Sequence, residues 1–366
     1  MKIICTQENL KSGLLVVGRI ISSSHTLPIL NNLLLKTENG LLKVSSTNLE
    51  IATTNNIRCK VEEDGALTVA SKILIDLVNN LPNKNITLYS KEGQLFIETE
   101  NYHTNIKTLP AEEFPLIPEV EGKNVLKVDA QIFRGVLDQV VFAASTNQTQ
   151  PEISGVLFAW EKNSLRVAAT DRYRLAERKM DVLQNNNESQ EVIIPQKTCL
   201  ELSKIIGNQK GTLEMQFSGT QVSVDFNEAH VISRLVDGQY PDYRQIIPTS
   251  FTTTAATEKT PLVNALRAVA IFGQNSNSVS VVFSEEKQQI VLTAESSDLG
   301  KSSVELPAKI EGAGGSLLLN HHYLLDCLGG IDSPNVVIKM IDDNSPSLVV
   351  PEDKNDYIYL VMPIKS

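Results

Sequence analysis

The sequence repeats itself at a spacing of about 125 residues, and this repeat limits the possible folds more than any other feature. Four apolar residues of the first copy return 123 positions later in the second: Leu30, Leu33, Leu34 and Leu35 become Ile153, Val156, Leu157 and Phe158. A fainter third copy places Leu325-Asp326 at 125 positions after Leu200-Glu201. Because solenoid repeats are only about 20 to 50 residues long, this spacing indicates repeated domains.

Each copy has the same pattern of predicted elements. Apolar residues recur with helical spacing near the start of each copy: Leu10, Leu14 and Val17, then Phe133, Leu137 and Val140, then Leu262, Leu266 and Val269. A second helix is predicted in "SKILIDLVNNL", "QKTCLELSKII" and "NHHYLLDCL", and short β-rich runs with turn residues fill the remainder. We therefore expect α+β domains at 1–121, 124–249 and 252–366, with linkers at 119–124 and 248–259.

Several protein classes are disfavoured by composition. No apolar run approaches the roughly 18 residues needed to span a bilayer, and the N-terminus lacks a signal-peptide pattern, so we expect a cytoplasmic protein without a membrane partner. The four cysteines, at 5, 59, 199 and 327, are far apart and are expected to be buried free thiols. The net charge of −10, taken alone, argues against binding of nucleic acid.

The densest group of charged residues lies at 170–179, "TDRYRLAERK". An Asp beside several Arg could suggest catalysis, but Asp171 returns as Asn48 in the first copy. A turn residue that accepts hydrogen bonds from its own backbone tolerates both side chains, whereas a catalytic acid does not, so we interpret Asp171 as structural. His321 and His322 are adjacent on a predicted helix and point about 100° apart, so a shared metal ion is not expected.

The order and spacing of several motifs identify a family resemblance. The repeats, "TDRYRLA", "VDGQYPDYRQIIP" and the C-terminal "YLVMPIKS" together resemble the bacterial DNA sliding clamps, the β subunits of DNA polymerase III, over the whole chain. The resemblance implies a DNA clamp fold of three repeated domains, each with two inner helices and outer antiparallel sheets. It also implies a head-to-tail homodimeric ring around duplex DNA, without sequence specificity, catalysis, metal or cofactor.

The resemblance further implies a hydrophobic cleft that binds peptides of the DNA polymerase III α subunit, the clamp loader and other clamp-motif proteins. Its residues carry over to Ile153, Thr170, Arg172, Tyr173, Arg174, Leu175, Pro241, Ile246, Pro346, Val361, Met362 and Pro363. Leu175, Pro241 and Met362 are expected to form its floor. The first and third copies have "TNLEIA" and "ESSDLG" in place of the motif, so we expect one cleft per subunit. The family often has Gly at the position of Arg172 and His at that of Tyr173.

The DNA-facing and dimer residues implied by the resemblance lie elsewhere in the repeats. The DNA-facing cations are Lys11, Arg19, Lys72, Arg134, Lys197, Lys204 and Arg267. The six predicted helical windows hold ten basic and seven acidic residues, so the helices are positive although the chain is acidic. The loop at 22–26 lacks the Arg that clamps often have, and at most a weak contact from His25 or Thr26 is expected. The dimer residues are Thr104 and Ile106 on an edge strand, with Ile271 and Phe272 opposite.

Two alternatives remain open from the sequence. One is an enzyme on a threefold-repeated scaffold, with Asp171 and Arg174, or the two histidines, as catalytic groups. These residues form no constellation of nucleophile, base and orienting group, which disfavours that hypothesis. The other is a non-replicative or resistance-type copy of the clamp with altered partners, which has the same fold.

Overall fold

The structure of the chain, a computed structural model, describes residues 1–21, 27–120, 124–147, 149–185 and 189–365. The loop at 22–26, with His25 and Thr26, lies outside the described residues, as do residues 121–123 of the linker predicted at 119–124. The α-helices are α1 (Gln7–Val17), α2 (Ser71–Asn80), α3 (Ala130–Val140), α4 (Pro151–Ser154), α5 (Gln196–Ile206), α6 (Lys259–Ala270) and α7 (His321–Gly330). Single 3-10 turns are formed by Gly18–Ile20, Pro28–Asn31, Ala111–Glu113, Val141–Ala143 and Tyr243–Ile246.

Among the described residues, the strands follow the repeat in groups of nine. The first copy has β1 (Lys2–Thr6), β2 (Asn32–Glu38), β3 (Leu41–Thr47), β4 (Ile51–Arg58), β5 (Lys60–Glu63), β6 (Ala66–Ala70), β7 (Asn85–Lys91), β8 (Gln94–Glu98) and β9 (His103–Leu109). The second has β10 (Asn124–Asp129), β11 (Gly155–Glu161), β12 (Ser164–Thr170), β13 (Arg174–Asp181), β14 (Gln184–Asn185), β15 (Gln190–Pro195), β16 (Thr212–Phe217), β17 (Gln221–Phe226) and β18 (Ala229–Arg234). The third has β19 (Thr253–Glu258), β20 (Ser278–Ser284), β21 (Gln289–Ser296), β22 (Gly300–Pro307), β23 (Lys309–Gly312), β24 (Gly315–Asn320), β25 (Asn335–Met340), β26 (Ser347–Pro351) and β27 (Tyr357–Val361).

The predicted α+β repeat is confirmed, including its faint third copy. Each copy has a long helix after its first strand and a second long helix after its sixth strand: α1 and α2, α3 and α5, and α6 and α7. The predicted linker at 248–259 is wrong in its second half, because β19 begins at Thr253 and pairs with β23 and β25. Its Thr and Ala residues look like a loop in the sequence, yet alternate side chains of this strand are buried.

The chain forms two compact units, which divide the middle copy between them. Unit 1 comprises Met1–Gln131, Val182–Asn187 and Glu201–Leu235, and unit 2 comprises Ile132–Asp181, Glu188–Leu200 and Val236–Ser366. Unit 1 holds a 14-stranded sheet in which β18 of the second copy pairs with β4 of the first. Unit 2 holds a nine-stranded sheet in which β27 of the third copy pairs with β13 of the second, and a four-stranded sheet ordered β22-β21-β20-β24.

The first helix shows why the sequence pattern selects these elements. The side chain of Thr6 accepts a hydrogen bond from the N–H of Asn9 at 3.2 Å and caps α1. Leu10 and Leu14 on its apolar face are buried in the core of unit 1. Gly13 lets α1 approach β4 closely, because a Cβ at this position would lie 2.5 Å from Ile57.

Two further expectations concern the cysteines and the membrane. Cys5, Cys199 and Cys327 are buried free thiols, as expected, while Cys59 is only half-buried. Burial, with a smaller contribution from Cys59, raises the pKa of Cys5 to about 12, so this thiol is unreactive at neutral pH. Among the described residues, no helix combines the length and apolar character needed to cross a membrane.

Candidate partner-binding cleft and strand edges

The turn between β12 and β13 is built by side chains that bond to its own backbone. Oδ1 of Asp171 accepts hydrogen bonds from the N–H groups of Tyr173 and Arg174, both at 3.0 Å. Oγ1 of Thr170 donates to the carbonyl of Arg174 at 2.7 Å and accepts from the N–H of Arg172 at 3.2 Å. Asp171 therefore has the structural role predicted for it, and Arg172 takes a left-handed conformation with φ 78°.

The guanidinium of Arg174 is held by several groups of unit 2. It donates to Asp171 at 3.0 Å, to Asp326 of α7 at 2.6 Å and to the carbonyl of Phe142 at 2.8 Å. It also lies 4.4 Å from the centre of the Tyr323 ring. Burial opposes the charge, but the bond to Asp326 and the charge of Asp171 outweigh it and raise the pKa of Arg174. This cation braces the turn against α7, which is a structural use of its charge.

Leu175 does not reach solvent, which corrects the expectation that it lines an open floor. Its exposed fraction is 0 %, and it belongs to a core cluster with Tyr240 and Tyr243. The Tyr243 hydroxyl donates to the buried carboxylate of Glu177, and burial followed by this carboxylate raises the pKa of Tyr243. The two tyrosines come more than 60 positions after Leu175 in the sequence, so no local pattern around Leu175 reveals that they belong to the same core cluster.

The open part of the predicted cleft is a cavity of about 500 Å³ at the C-terminus. Four predicted residues line it, namely Arg172, Tyr173, Met362 and Pro363. The N–H of Met362 donates to the carbonyl of Tyr173 at 2.8 Å, which ties the C-terminal segment to the turn. Tyr173 is 63 % exposed, so its ring is available to a ligand.

The other predicted cleft residues do not line this cavity. Ile153, Thr170 and Val361 are buried, and Val361 lies opposite Arg174 in the pairing of β13 with β27. Pro241 and Ile246 are exposed and lie close in sequence to Tyr240 and Tyr243, while Pro346 is half-buried. The prediction therefore combined residues that line one open cavity near the C-terminus with residues that are buried or lie elsewhere on the surface.

Sequence reasoning missed four residues that line the cavity, Asn320, Tyr323, Ile364 and Lys365. Asn320 precedes α7 and caps it by accepting a hydrogen bond from the N–H of His322 at 2.9 Å, which places Tyr323 in the first turn of the helix. The N–H of Ile364 donates to the carbonyl of Leu318 at 2.7 Å and fixes the C-terminal segment beside β24. An available signal was "NHHY", which joins a capping Asn to an aromatic residue at a predicted helix start.

The predicted DNA-facing cations all lie on helices or at a helix end. Lys11, Arg19, Lys72 and Lys204 belong to unit 1, and Arg134, Lys197 and Arg267 belong to unit 2. Arg134 pairs with Asp138 at 3.5 Å and Lys204 pairs with Glu201 at 2.9 Å, whereas the other five make no ion pair within the described ranges. All seven side chains are exposed or half-buried. Exposed ion pairs contribute little, about 1 kcal/mol or less, so all seven can respond to a polyanion.

The predicted dimer residues lie on an outer strand and directly after a helix. Thr104 and Ile106 are on β9, which pairs with β8, and only Thr108 and Leu109 of β9 pair with β6. The Ile106 side chain is part of the core of unit 1, so this residue can offer a partner only its backbone. Ile271 is exposed and Phe272 half-buried, directly after α6.

The histidine pair lacks the features of a metal site. The rings of His321 and His322 lie 4.1 Å apart, and His321 is almost completely buried. Within the part of the chain that the structure describes, no group of three His, Cys, Asp or Glu side chains converges as ligands of an ion.

Comparisons with known proteins agree on one family over the whole chain. Family models of the DNA polymerase III beta subunit match with the N-terminal domain at 1–118, the central domain at 127–242 and the C-terminal domain at 244–365. The beta sliding clamp of Synechocystis is 31 % identical over 388 residues, with 100 % of this chain and 99 % of that protein covered. The beta sliding clamp of Streptomyces coelicolor is 29 % identical over 376 residues, with the same coverage.

Solved structures give the same result. The Pseudomonas aeruginosa DnaN sliding clamp bound to griselimycin has a TM-score of 0.95 and 27 % identity, with 100 % of both chains covered. The DNA polymerase III beta subunit of Thermotoga maritima has a TM-score of 0.93 and 25 % identity, with 100 % of this chain and 99 % of that chain covered.

Proposed function

This chain belongs to the DNA polymerase III beta subunit family, and we propose that it acts as a sliding clamp whose closed ring holds polymerase and other proteins on duplex DNA. The clamp encircles DNA, forms a dimer and binds the polymerase and other clamp-motif proteins. We assign it no chemistry of its own, because Asp171 and Arg174 hold a turn together and form no catalytic constellation.

The main support for a ring is a series of strand pairings between successive copies. This series lacks a partner strand in the first copy and in the third copy. The fourth strand of one copy pairs with the last strand of the next copy, as β4 pairs with β18 and β13 pairs with β27. The fourth strand of the third copy is β22, and the last strand of the first copy is β9. Among the described strands, β22 pairs only with β21, and Thr104–Ile106 of β9 pairs only with β8.

Pairing β22 of one subunit with β9 of another continues the series and protects two open edges. Such a contact joins different surfaces, and two subunits related by a twofold axis make it twice, which closes a ring. Ile271 and Phe272 then contribute apolar area beside the strands. The domains of the ring are those expected at 1–121, 124–249 and 252–366.

The register of the proposed pairing between β22 and β9 can be counted from the second long helix of each copy. The residue two positions before this helix is Val69, Ile194 or Leu319, and it lies opposite Leu33, Val156 or Val279 of the neighbouring strand. Because the helix begins at an equivalent place in each copy, these three pairs are equivalent. The same row of opposed residues can then be followed across the next strands of each sheet.

Following that row gives the register of the proposed junction. In the first copy the row ends at Thr53, which lies opposite Val231. In the second copy it ends at Ala176, which lies opposite Tyr359. In the third copy it ends on Ser302. Its continuation is Thr104 of the next subunit, because Thr104 pairs with Ile97 of β8 as Val231 pairs with Val224 of β17. Opposed residues on neighbouring antiparallel strands have Cα atoms about 4.5–5.5 Å apart, which suits a disulfide.

The test is an engineered cross-link. The double variant Thr104→Cys with Ser302→Cys should form a disulfide-linked dimer under mild oxidation, and linkage at both junctions should give a covalently closed ring. The control is Thr104→Cys with Ser303→Cys, because adjacent residues of a strand point to opposite faces. Equal cross-linking in the two variants, or none in the first while a dimer sediments, would refute this junction.

The cleft at the C-terminus is the proposed site for partner peptides. The cavity between the turn and the last residues, lined by Tyr173, Tyr323 and Met362, would take the apolar side chains of the family's Gln-x-x-Leu-Phe type motif. The other predicted cleft residues would support this cavity from the interior or from the surrounding surface; they are Ile153, Thr170, Arg174, Leu175, Val361, Pro241, Ile246 and Pro346. The seven helical cations are the proposed contacts to the DNA backbone, which need no base recognition.

A further inference from the structure

The first copy contains the same turn as the predicted cleft, although its sequence does not match the motif. Oγ1 of Thr47 donates to the carbonyl of Ile51 at 3.0 Å, and Oδ1 of Asn48 accepts from the N–H groups of Glu50 and Ile51 at 3.0 and 2.8 Å. Leu49 has φ 74°, close to the value of its counterpart in the second copy. The backbone geometry of the turn is therefore kept where the motif is absent.

The strand beside this turn is also equivalent. β18 pairs with β4 as β27 pairs with β13, and the N–H of Arg234 donates to the carbonyl of Glu50 at 3.0 Å. The same bond joins Met362 to Tyr173 in the cleft at the C-terminus. By this correspondence, Arg234 occupies the position of Met362.

Smaller side chains open a cavity in the first copy where the second copy is filled. Ala52 stands at the position of Leu175, and Ile117 stands at the position of Tyr243, 126 residues earlier. The result is a cavity of about 330 Å³ in unit 1, which we call the copy-one cavity; Leu49, Ala52, Leu116, Ile117, Ile232 and Arg234 are among its lining residues.

The lining of the copy-one cavity combines exposed aliphatic side chains with a cation. Leu116 is 93 % exposed and Leu49 is 48 % exposed, so both present apolar area to solvent. Arg234 is exposed, and its guanidinium makes no ion pair with any described residue. Glu50 also lines the cavity, so the charge at this site is mixed.

We propose that the copy-one cavity is a second docking site, which binds an extended peptide segment of a partner protein with an aliphatic side chain next to a carboxylate. The aliphatic side chain enters above Ala52, between Leu49 and Leu116, and the carboxylate pairs with Arg234. A guanidinium favours a carboxylate because it can donate two parallel hydrogen bonds. The inference does not depend on binding at Tyr173 and Met362, because the two cavities share no lining residue.

The test uses two fluorescein-labelled peptides, Ser-Leu-Leu-Asp-Ser and Ser-Leu-Leu-Lys-Ser, in anisotropy titrations with the full chain. The aspartate peptide should bind in the micromolar range, because an extended peptide loses much conformational freedom on binding. Leu116→Ser should weaken it by about tenfold, because it removes an exposed leucine that the bound peptide would cover. Arg234→Gln should abolish the preference for aspartate over lysine, whereas Glu50→Gln should retain that preference.

Matched controls distinguish the copy-one cavity from the C-terminal cleft and from self-association. Leu183→Ser removes an exposed leucine of the same unit outside the cavity and should not change binding. If Tyr173→Ala weakens the peptide and Leu116→Ser does not, the peptide binds at the C-terminal cleft, and the second site is refuted while the proposed function stands. Equal affinities for wild type, Leu116→Ser and Arg234→Gln also refute it. A third result would also refute it: the protein self-associates in sedimentation, Leu116→Ser removes this self-association, and no peptide binds. In that case a second copy of the chain would occupy the cavity.

Discussion

At the residue scale, two backbone positions show how one turn tolerates different sequences. Asn48 and Asp171 accept the same pair of backbone hydrogen bonds, so the turn needs an oxygen at that position and not a charge. The next residue takes positive φ in both copies, although it is Leu49 in one and Arg172 in the other. A residue with a Cβ is strained in this conformation, whereas glycine is not.

Arg172→Gly should therefore stabilise unit 2. The free energy of unfolding should increase by up to about 1 kcal/mol, because relief of the left-handed strain outweighs the added conformational freedom that glycine gives the unfolded chain. Thermal unfolding measures this, and Asp171→Ala is the matched control, expected to melt at a lower temperature because it removes the hydrogen bonds that hold the same turn. A lower melting temperature for Arg172→Gly than for wild type would contradict the presence of strain at this residue.

Substitutions of Leu175 and Tyr173 distinguish the effect of core packing from the effect of peptide binding. Leu175→Ala should destabilise the protein by about 2–5 kcal/mol, because it leaves a cavity in the core cluster that includes Tyr240 and Tyr243. Tyr173→Ala removes an exposed ring and should change stability by about 0.5 kcal/mol or less, yet weaken a Gln-x-x-Leu-Phe peptide. Urea unfolding and peptide titration of both variants test this. Unchanged stability in Leu175→Ala would show that the leucine is not packed as described.

Sequence reasoning succeeded at the turn and failed at Leu175 for a physical reason. The role of Asp171 follows from local bonding, which a repeated Asn reveals. Leu175 is buried in a cluster that also contains Tyr240, Tyr243 and Leu360, which tertiary packing brings together from distant parts of the sequence. The exposure of a residue in a strand depends on which other elements cover that face of the sheet. The sequence around the residue does not show which elements these are.

At the element scale, α7 begins with a buried histidine close to the segment that follows α6. The N–H of His321 donates to the carbonyl of Asn277 at 3.0 Å, and a Cβ on Gly273 would lie 3.6 Å from its ring. Neither ring nitrogen has a hydrogen-bond partner among the described residues. Burial, and then the neighbouring His322, lower the pKa of His321 below its ordinary value of 6.5.

This histidine should make the protein less stable in mild acid. Below pH 6.5 the unfolded chain binds a proton at this position that the folded chain does not, so stability falls as the pH decreases from 6.5 toward the lowered pKa. The loss should be smaller in His321→Leu, measured as the difference between urea midpoints at about pH 7.5 and about pH 5.5. The same loss in His321→Leu and wild type would assign the effect to other groups.

The repeat of elements was readable from the sequence, but their division into units was not. Helix spacing at Leu10 and Leu14, and its recurrence in the later copies, predicted the helices. The pairing of β4 with β18 joins strands whose registers are fixed by residues far apart, such as Ile51 and Ser233. Pairing between distant strands has no local signature, so the edge at β9 was expected only through the family resemblance, and the edge at β22 becomes apparent only in the structure.

At the scale of the whole molecule, our proposal is that an acidic chain holds DNA through cations on its helices. The seven predicted DNA-facing side chains are exposed or half-buried, and a modest number of phosphate contacts gives weak binding that salt reduces. Weak contacts would allow movement along the duplex, whereas the proposed closed ring would provide the retention. The non-replicative alternative shares this mechanism, and replacement of a native clamp gene by this one separates the two.

The most direct test of encirclement is retention on circular against linear DNA. The protein is loaded on nicked circular DNA by a clamp loader with ATP, separated from free protein by gel filtration, and then half of the DNA is cut once. We predict that the protein stays with the circle and is lost from the cut DNA, and that short duplexes bind weakly at physiological salt. Equal retention on circular and cut DNA, or nanomolar affinity for a short linear duplex, would contradict encirclement.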